Sequence, residues 1–178
     1  MKILRAIAVF LALALAANLA TVAALPYLIN AWVYHGLVKK AGGRNRAFHA
    51  PLPDASAREI VRPSPDLLYT ACAYDVAEHP LRLTAPVPDT YLSVAGFAAD
   101  SSNFFAVNDA SVSAGAAGQR TLDVIVAAPG ARDLPADARV FTAPSPRGLI
   151  LFRMLVSDPA KLEDLRTKFQ AQQVCAPL

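Results

Sequence analysis

The densest group of residues able to do chemistry is Arg62-Pro63-Ser64-Pro65-Asp66-Leu67-Leu68-Tyr69, with Asp75 shortly after it. An aspartate and a tyrosine at the entry to a strand can hydrogen-bond a polar ligand or organise the loop's own backbone. The prolines hold an extended approach, and strand alternation sends Asp66 and Leu68 to one face and Tyr69 to the other. The structural role is the one expected. Arg153 stands inside Leu149–Val156, which is apolar on both faces, so its permanently charged guanidinium calls for a carboxylate. Asp66, Asp75 and Asp123 are the candidates. The reading adopted is an ion pair with an acid of the Asp66–Asp75 segment, tying the last strand to the first; anion binding is the alternative. Cys72 and Cys175 are the only cysteines and are read as two separate buried thiols, with one long-range disulfide as the alternative in an oxidising compartment. His35, His49 and His79 are scattered without metal-ligand spacing, so no metal and no cofactor is expected. Nucleophile elbows, phosphate-cradling glycine loops and close carboxylate pairs are missing from the sequence, which disfavours an enzyme read from local motifs.

The location of this chemistry is set further upstream. Ala6–Ile29 is a run of 24 residues without a charge, and at about 1.5 Å per residue it reaches about 36 Å, enough to cross a hydrocarbon core of about 30 Å. Lys2 and Arg5 before the run, and Val22-Ala23-Ala24 within it, also fit a cleaved secretory signal. The apolar stretch outlasts a signal core, however, and continues to Trp32, Val33 and Tyr34. An uncleaved anchor is therefore expected over residues 1–40, with Tyr27, Trp32 and Tyr34 at interfacial depth. The short basic N-terminus has the shape of a signal anchor and favours export of the C-terminal domain, whereas Lys39, Lys40, Arg44 and Arg46 argue for retention by the positive-inside rule. Export is the orientation expected, placing the domain outside an inner membrane.

Charge distribution excludes one class of partner. Although the net charge is +3, six basic residues precede position 50 and all 14 acidic ones lie beyond it, which leaves 11 basic against 14 acidic in the folded part. A nucleic-acid reader concentrates positive charge on its folded domain, so nucleic acid is not an expected partner. Membrane lipid is, through the basic segment after the span.

Residues 41–54 read as a Gly/Arg/Pro-rich juxtamembrane linker, and 55–178 as one domain. Frequent prolines leave no room for a long helix before residue 158. Leu67–Tyr74, Leu81–Ala85, Thr90–Phe97, Asn103–Val107, Thr121–Ala127, Ala138–Thr142 and Leu149–Val156 read as short strands separated by turn chemistry, and Ala110–Gly118 as a surface loop. Asp158-Pro159 caps a helix in which Leu162, Leu165 and Phe169 share a face. The fold class expected is mainly β, a β-sandwich or partly closed barrel with one C-terminal helix, preceded by a transmembrane helix.

Order and spacing add a resemblance. Arg62-Pro63, Asp66, Leu68-Tyr69 and Asp75, then Pro80–Pro86, Tyr91–Val94 and Asp100, and finally Arg139–Pro146, Leu149–Arg153 and Gln172–Leu178, resemble the uncharacterised domain family DUF1254 over Arg46–Leu178. The resemblance implies a mostly-β fold, places a family arginine at Arg153, and suggests a separate DUF1214-type protein as partner, since longer members carry that domain next. Ser64, Leu67, Thr70 and Ser145-Pro146 depart from the family's polar pattern, so any site those groups form is partly stripped here. No reaction comes with the family name. A non-catalytic binding or assembly module of the cell envelope is the function expected, and half of an enzyme completed by a DUF1214-type partner is the alternative.

Overall fold

The computed structural model describes residues 1–57, 63–112, 120–136 and 138–178. Its first element is a single helix, α1 (Lys2–Ala41), long and apolar enough to cross a membrane. Leucine, alanine and isoleucine dominate its first thirty residues and lie exposed, as they must unless lipid covers them. Lys39 and Lys40 occupy the last turn, where positive charge complements the helix dipole. Gly42, at φ 71°, closes the helix in the left-handed conformation that glycine adopts without cost.

The described residues beyond the helix form nine strands: β1 (Ala47–His49), β2 (Leu67–Asp75), β3 (Leu81–Pro86), β4 (Leu92–Phe97), β5 (Asn103–Asn108), β6 (Thr121–Ala127), β7 (Arg139–Thr142), β8 (Arg147–Leu155) and β9 (Val174–Pro177). They make two sheets in the orders β1-β2-β8-β4-β5 and β7-β6-β3-β9, and the protein is mainly β without a closed barrel. These pairs are antiparallel except β6 with β7. Alternation explains the layering. Leu68, Cys72 and Tyr74 of β2, with Ile150, Phe152 and Met154 of β8, join Leu81 and Leu83 of β3 and Leu122, Val124 and Val126 of β6 in one buried cluster shared by both sheets. The opposite face of the first sheet receives the end of α1: Tyr34 and Leu37 pack with Ala73, and Val38, Phe48, Ala71 and Leu149 close around them.

The expected Asp158-Pro159 cap starts a 3₁₀ turn, Pro159–Lys161, in which the Asp158 carboxylate accepts the Ala160 N–H at 2.9 Å, and the C-terminal helix α2 (Leu162–Lys168) follows directly without a side-chain cap of its own. Leu165 is buried, and Leu162 and Phe169 pack against the shared core. Two strands were not anticipated. β1 lies within the stretch read as a linker, and β9 comes after α2, pairing with β3; both are too short to carry a readable alternation. Part of the loop read over Ala110–Gly118 lies outside the described residues, while a short 3₁₀ turn occupies Asp109–Ser111.

Candidate functional site

The structure distributes the sequence-derived candidates over two places. Arg62 lies outside the described residues. Asp66 is exposed, and its carbonyl accepts the Val156 N–H at 2.8 Å. Tyr69 is half-buried and turns back on its own loop, its hydroxyl accepting the Ser64 N–H at 3.0 Å. These contacts organise the turn into β2.

Arg153 corrects the ion-pair expectation. It stands opposite Tyr69 on one side and Ser93 on the other, and no carboxylate among the described residues pairs with it; its Nε and the Ser93 hydroxyl are buried without partners. Strand register is the reason. Asp75, at the far end of β2, faces Arg147 instead, six residues before Arg153 on β8. Asp123 is also taken, by Arg82 across β3 and β6. β8 is tied to β2 by an arginine and Asp75, but the arginine is Arg147.

Asp75 is the organising residue of the second place, where α1 meets the β domain. Its side chain is only 11% exposed, and one oxygen accepts from both Arg44 and Arg147 at 2.8 Å. The other oxygen accepts the Ala77 N–H at 3.2 Å. Burial pushes the Asp75 carboxyl up, but the Arg147 hydrogen bond, the Ala77 amide, the Arg147 charge and the Arg44 hydrogen bond outweigh it and hold it below the ordinary carboxylate value. The backbone of Asp75 is held as firmly. Its N–H donates to the Asn45 side-chain oxygen at 2.7 Å, and its carbonyl accepts from the Asn45 amide at 2.8 Å. Asn45 itself sits at φ 54°, a conformation asparagine tolerates better than most residues. Its side chain continues the pairing of β2 beyond the end of β1.

Contacts along α1 complete the junction. The Ser101 hydroxyl donates to the Pro26 carbonyl at 3.2 Å, the buried Asn30 amide donates to the Ala98 carbonyl at 3.0 Å, Tyr34 and Leu37 pack on Ala73, and Lys40 lies 5.6 Å over the Phe48 ring. The helix thus crosses the sheet from the β4–β5 loop to β1. A groove of about 280 Å³ runs beside it, walled by Tyr27, Asn30, Tyr34, His35, Ala99 and Arg147. A second groove, of about 300 Å³, opens on the other sheet near Arg82, Asp123 and Arg139.

Cys72 of β2 and Cys175 of β9 form a disulfide between the two sheets, with Cα atoms 6.5 Å apart, which corrects the reading as separate thiols. Nothing in the sequence brings the two together, because the pairing depends on β9 returning beside β3. Among the described residues no group of three His, Cys, Asp or Glu gathers. His49 is held by Thr70 at 3.0 Å, and burial lowers its pKa. Sequence reasoning found Asp75 but missed Arg44, Asn45 and Arg147. An asparagine after two glycines at a helix end was the available signal.

Two sheets share one core, and the end of a long apolar helix packs on the outer face of one of them, a mainly-β fold of the kind the family resemblance implies. The chain belongs to the DUF1254 family, described as "Protein of unknown function", whose profile matches residues 44–177. Among solved structures it is similar to the VPA0106 protein from Vibrio parahaemolyticus, with TM-score 0.60, 16% identity and coverage of 86% of this chain and 35% of that one. It is also similar to a putative uncharacterized protein from Burkholderia cenocepacia, with TM-score 0.52, 21% identity and coverage of 71% and 36%. These likenesses concern the fold, and the chain spans about a third of the length of each neighbour. No curated protein matches it.

Proposed function

We propose that this is a single-pass inner-membrane protein whose β domain is exported and serves as a non-catalytic binding or assembly module of the cell envelope. The observation that carries the reading is the continuity between helix and domain. Beyond the uncharged run Ala6–Ile29, Asn30, Tyr34, Leu37 and Asn45 contact the first sheet, the loop between β4 and β5, and Asp75. A flexible tether would leave the domain free to search; this arrangement holds one orientation over the bilayer surface, as a module presenting a fixed face to a partner requires.

Affinity purification of the tagged full chain from solubilised membranes, followed by mass spectrometry, tests it. Recovery of a stoichiometric envelope protein is the expected result, and a chain that elutes alone after cross-linking in cells would refute the assembly role. A C-terminal alkaline phosphatase fusion tests export, and an inactive fusion would reverse the orientation. A second reading, half of an enzyme completed by a DUF1214-type protein, draws on the groove near Arg82, Asp123 and Arg139. Co-purification of such a protein together with a small molecule would favour it.

A further inference from the structure

The groove at the anchor–domain junction carries more than a structural contact. Asp75 has one carboxylate for two guanidiniums, so Arg44 and Arg147 leave one positive charge uncompensated. Arg147 is the one that also lines the groove, with its side chain 56% exposed. On the same wall Tyr34 is 5% exposed, and its hydroxyl is buried without a hydrogen-bond partner. Buried hydroxyls are normally satisfied, and an orphan beside a surplus cation is a donor awaiting an acceptor. The location narrows what that acceptor is. Tyr27, at one end of the groove, belongs to the apolar run, and Arg147 is the cation in the groove wall. A ligand entering here has its anionic group at Arg147 and its apolar part alongside the helix.

We propose that the groove is a binding site for the phosphodiester headgroup of an anionic phospholipid, held by Arg147 and the Tyr34 hydroxyl. Arg147 swings from Asp75 to the phosphate, while Arg44 stays on Asp75 and keeps that buried carboxylate neutralised. Two donors from different elements, one on α1 and one on β8, then close on one phosphate, so the bound lipid ties the anchor to the domain. The inference rests on reading residues 6–29 as a membrane span, but it fails separately: a chain can be anchored and still bind no lipid in this groove.

The test is native mass spectrometry of the purified full chain in detergent, titrated with phosphatidylglycerol or with phosphatidylcholine. A one-to-one adduct with phosphatidylglycerol, at least about tenfold tighter than with phosphatidylcholine, is expected. Tyr34→Phe removes only a hydroxyl that the fold does not use, so the variant folds, and a hydrogen bond to a charged group lost from the complex weakens the adduct about tenfold or more. Arg147→Gln weakens it further. Millimolar inorganic phosphate is not expected to displace the lipid. Equal binding of the two lipids, or an adduct unchanged in Tyr34→Phe, would overturn the site. Full displacement by inorganic phosphate would overturn the lipid assignment and leave a free-anion site.

Discussion

Replacing Asp75 by asparagine keeps the shape of the side chain and removes the charge that two arginines converge on. Fully buried ion pairs broken from one side cost about 3–5 kcal/mol, and exposed ones about 0–1 kcal/mol. Asp75 belongs between these limits, because its own side chain is 11% exposed while those of Arg44 and Arg147 are 55% and 56% exposed. The expected loss is about 2 kcal/mol, or about 6–10 °C in melting temperature by the usual scaling for a domain of this size. Thermal unfolding of the full chain in detergent, monitored by circular dichroism, measures it. The pH dependence supplies a second, independent check. Because the Asp75 carboxyl is held below its ordinary value in the folded protein, its contribution is complete above about pH 4, the unfolded value, and is lost as pH falls through the folded one. The gap between wild type and Asp75→Asn is therefore expected to be constant from about pH 8 to about pH 5 and to close in stronger acid. Equal melting temperatures at neutral pH, or a gap that persists unchanged to about pH 2, would refute the assignment of Asp75 as the organising carboxylate.

Other perturbations separate the structural elements from one another. Arg153→Met is expected to change stability by less than about 1 kcal/mol, since the guanidinium has no carboxylate among the described residues and its Nε no partner; a fall in melting temperature as large as that of Asp75→Asn would restore the ion pair. Reducing the Cys72–Cys175 disulfide, or replacing both cysteines by serine, opens a loop spanning 103 residues and is expected to cost about 2–5 kcal/mol, read as a lowered melting temperature with dithiothreitol and a mobility shift on non-reducing gels. Gly148→Ala places a Cβ against the Phe97 carbonyl and 2.7 Å from the Tyr74 hydroxyl, both in the packed first sheet, so a loss of about 3 kcal/mol or failure to accumulate is expected. Accumulation of a variant with native stability would mean that Phe97 and Tyr74 can shift to make room.

Much of the fold can be read from the chain because its signals are local. Proline spacing, alternation in segments such as Leu81–Ala85 and Thr121–Ala127, and the Asp158-Pro159 cap each act within a few residues, and the strands and α2 form where these signals fall. β1 and β9 escape the same reading because three or four residues carry no period, and both exist only through a partner distant in sequence, β2 for one and β3 for the other. The site divides along the same line. Asp75 stands out locally as an acid at the end of an apolar strand, whereas its partners depend on register, which pairs it with Arg147 and leaves Arg153 opposite Tyr69. Strand composition alone does not distinguish two arginines on β8, so the pairing becomes visible only once the register is known. Tyr34 illustrates the remaining gap, since an interfacial aromatic and a tyrosine packed on a sheet have the same sequence signature.

The contacts of Pro26, Asn30 and Tyr34 join the second half of α1 to the domain, so what residues 1–24 add is the length of apolar helix that the proposed membrane attachment requires in the mature protein. Alkaline carbonate extraction of membranes from cells producing the C-terminally tagged chain, with the intact mass of the recovered protein, tests this directly. The chain is expected in the membrane pellet with a mass that includes residues 1–24. A soluble protein whose N-terminus lies near Leu25 would contradict it.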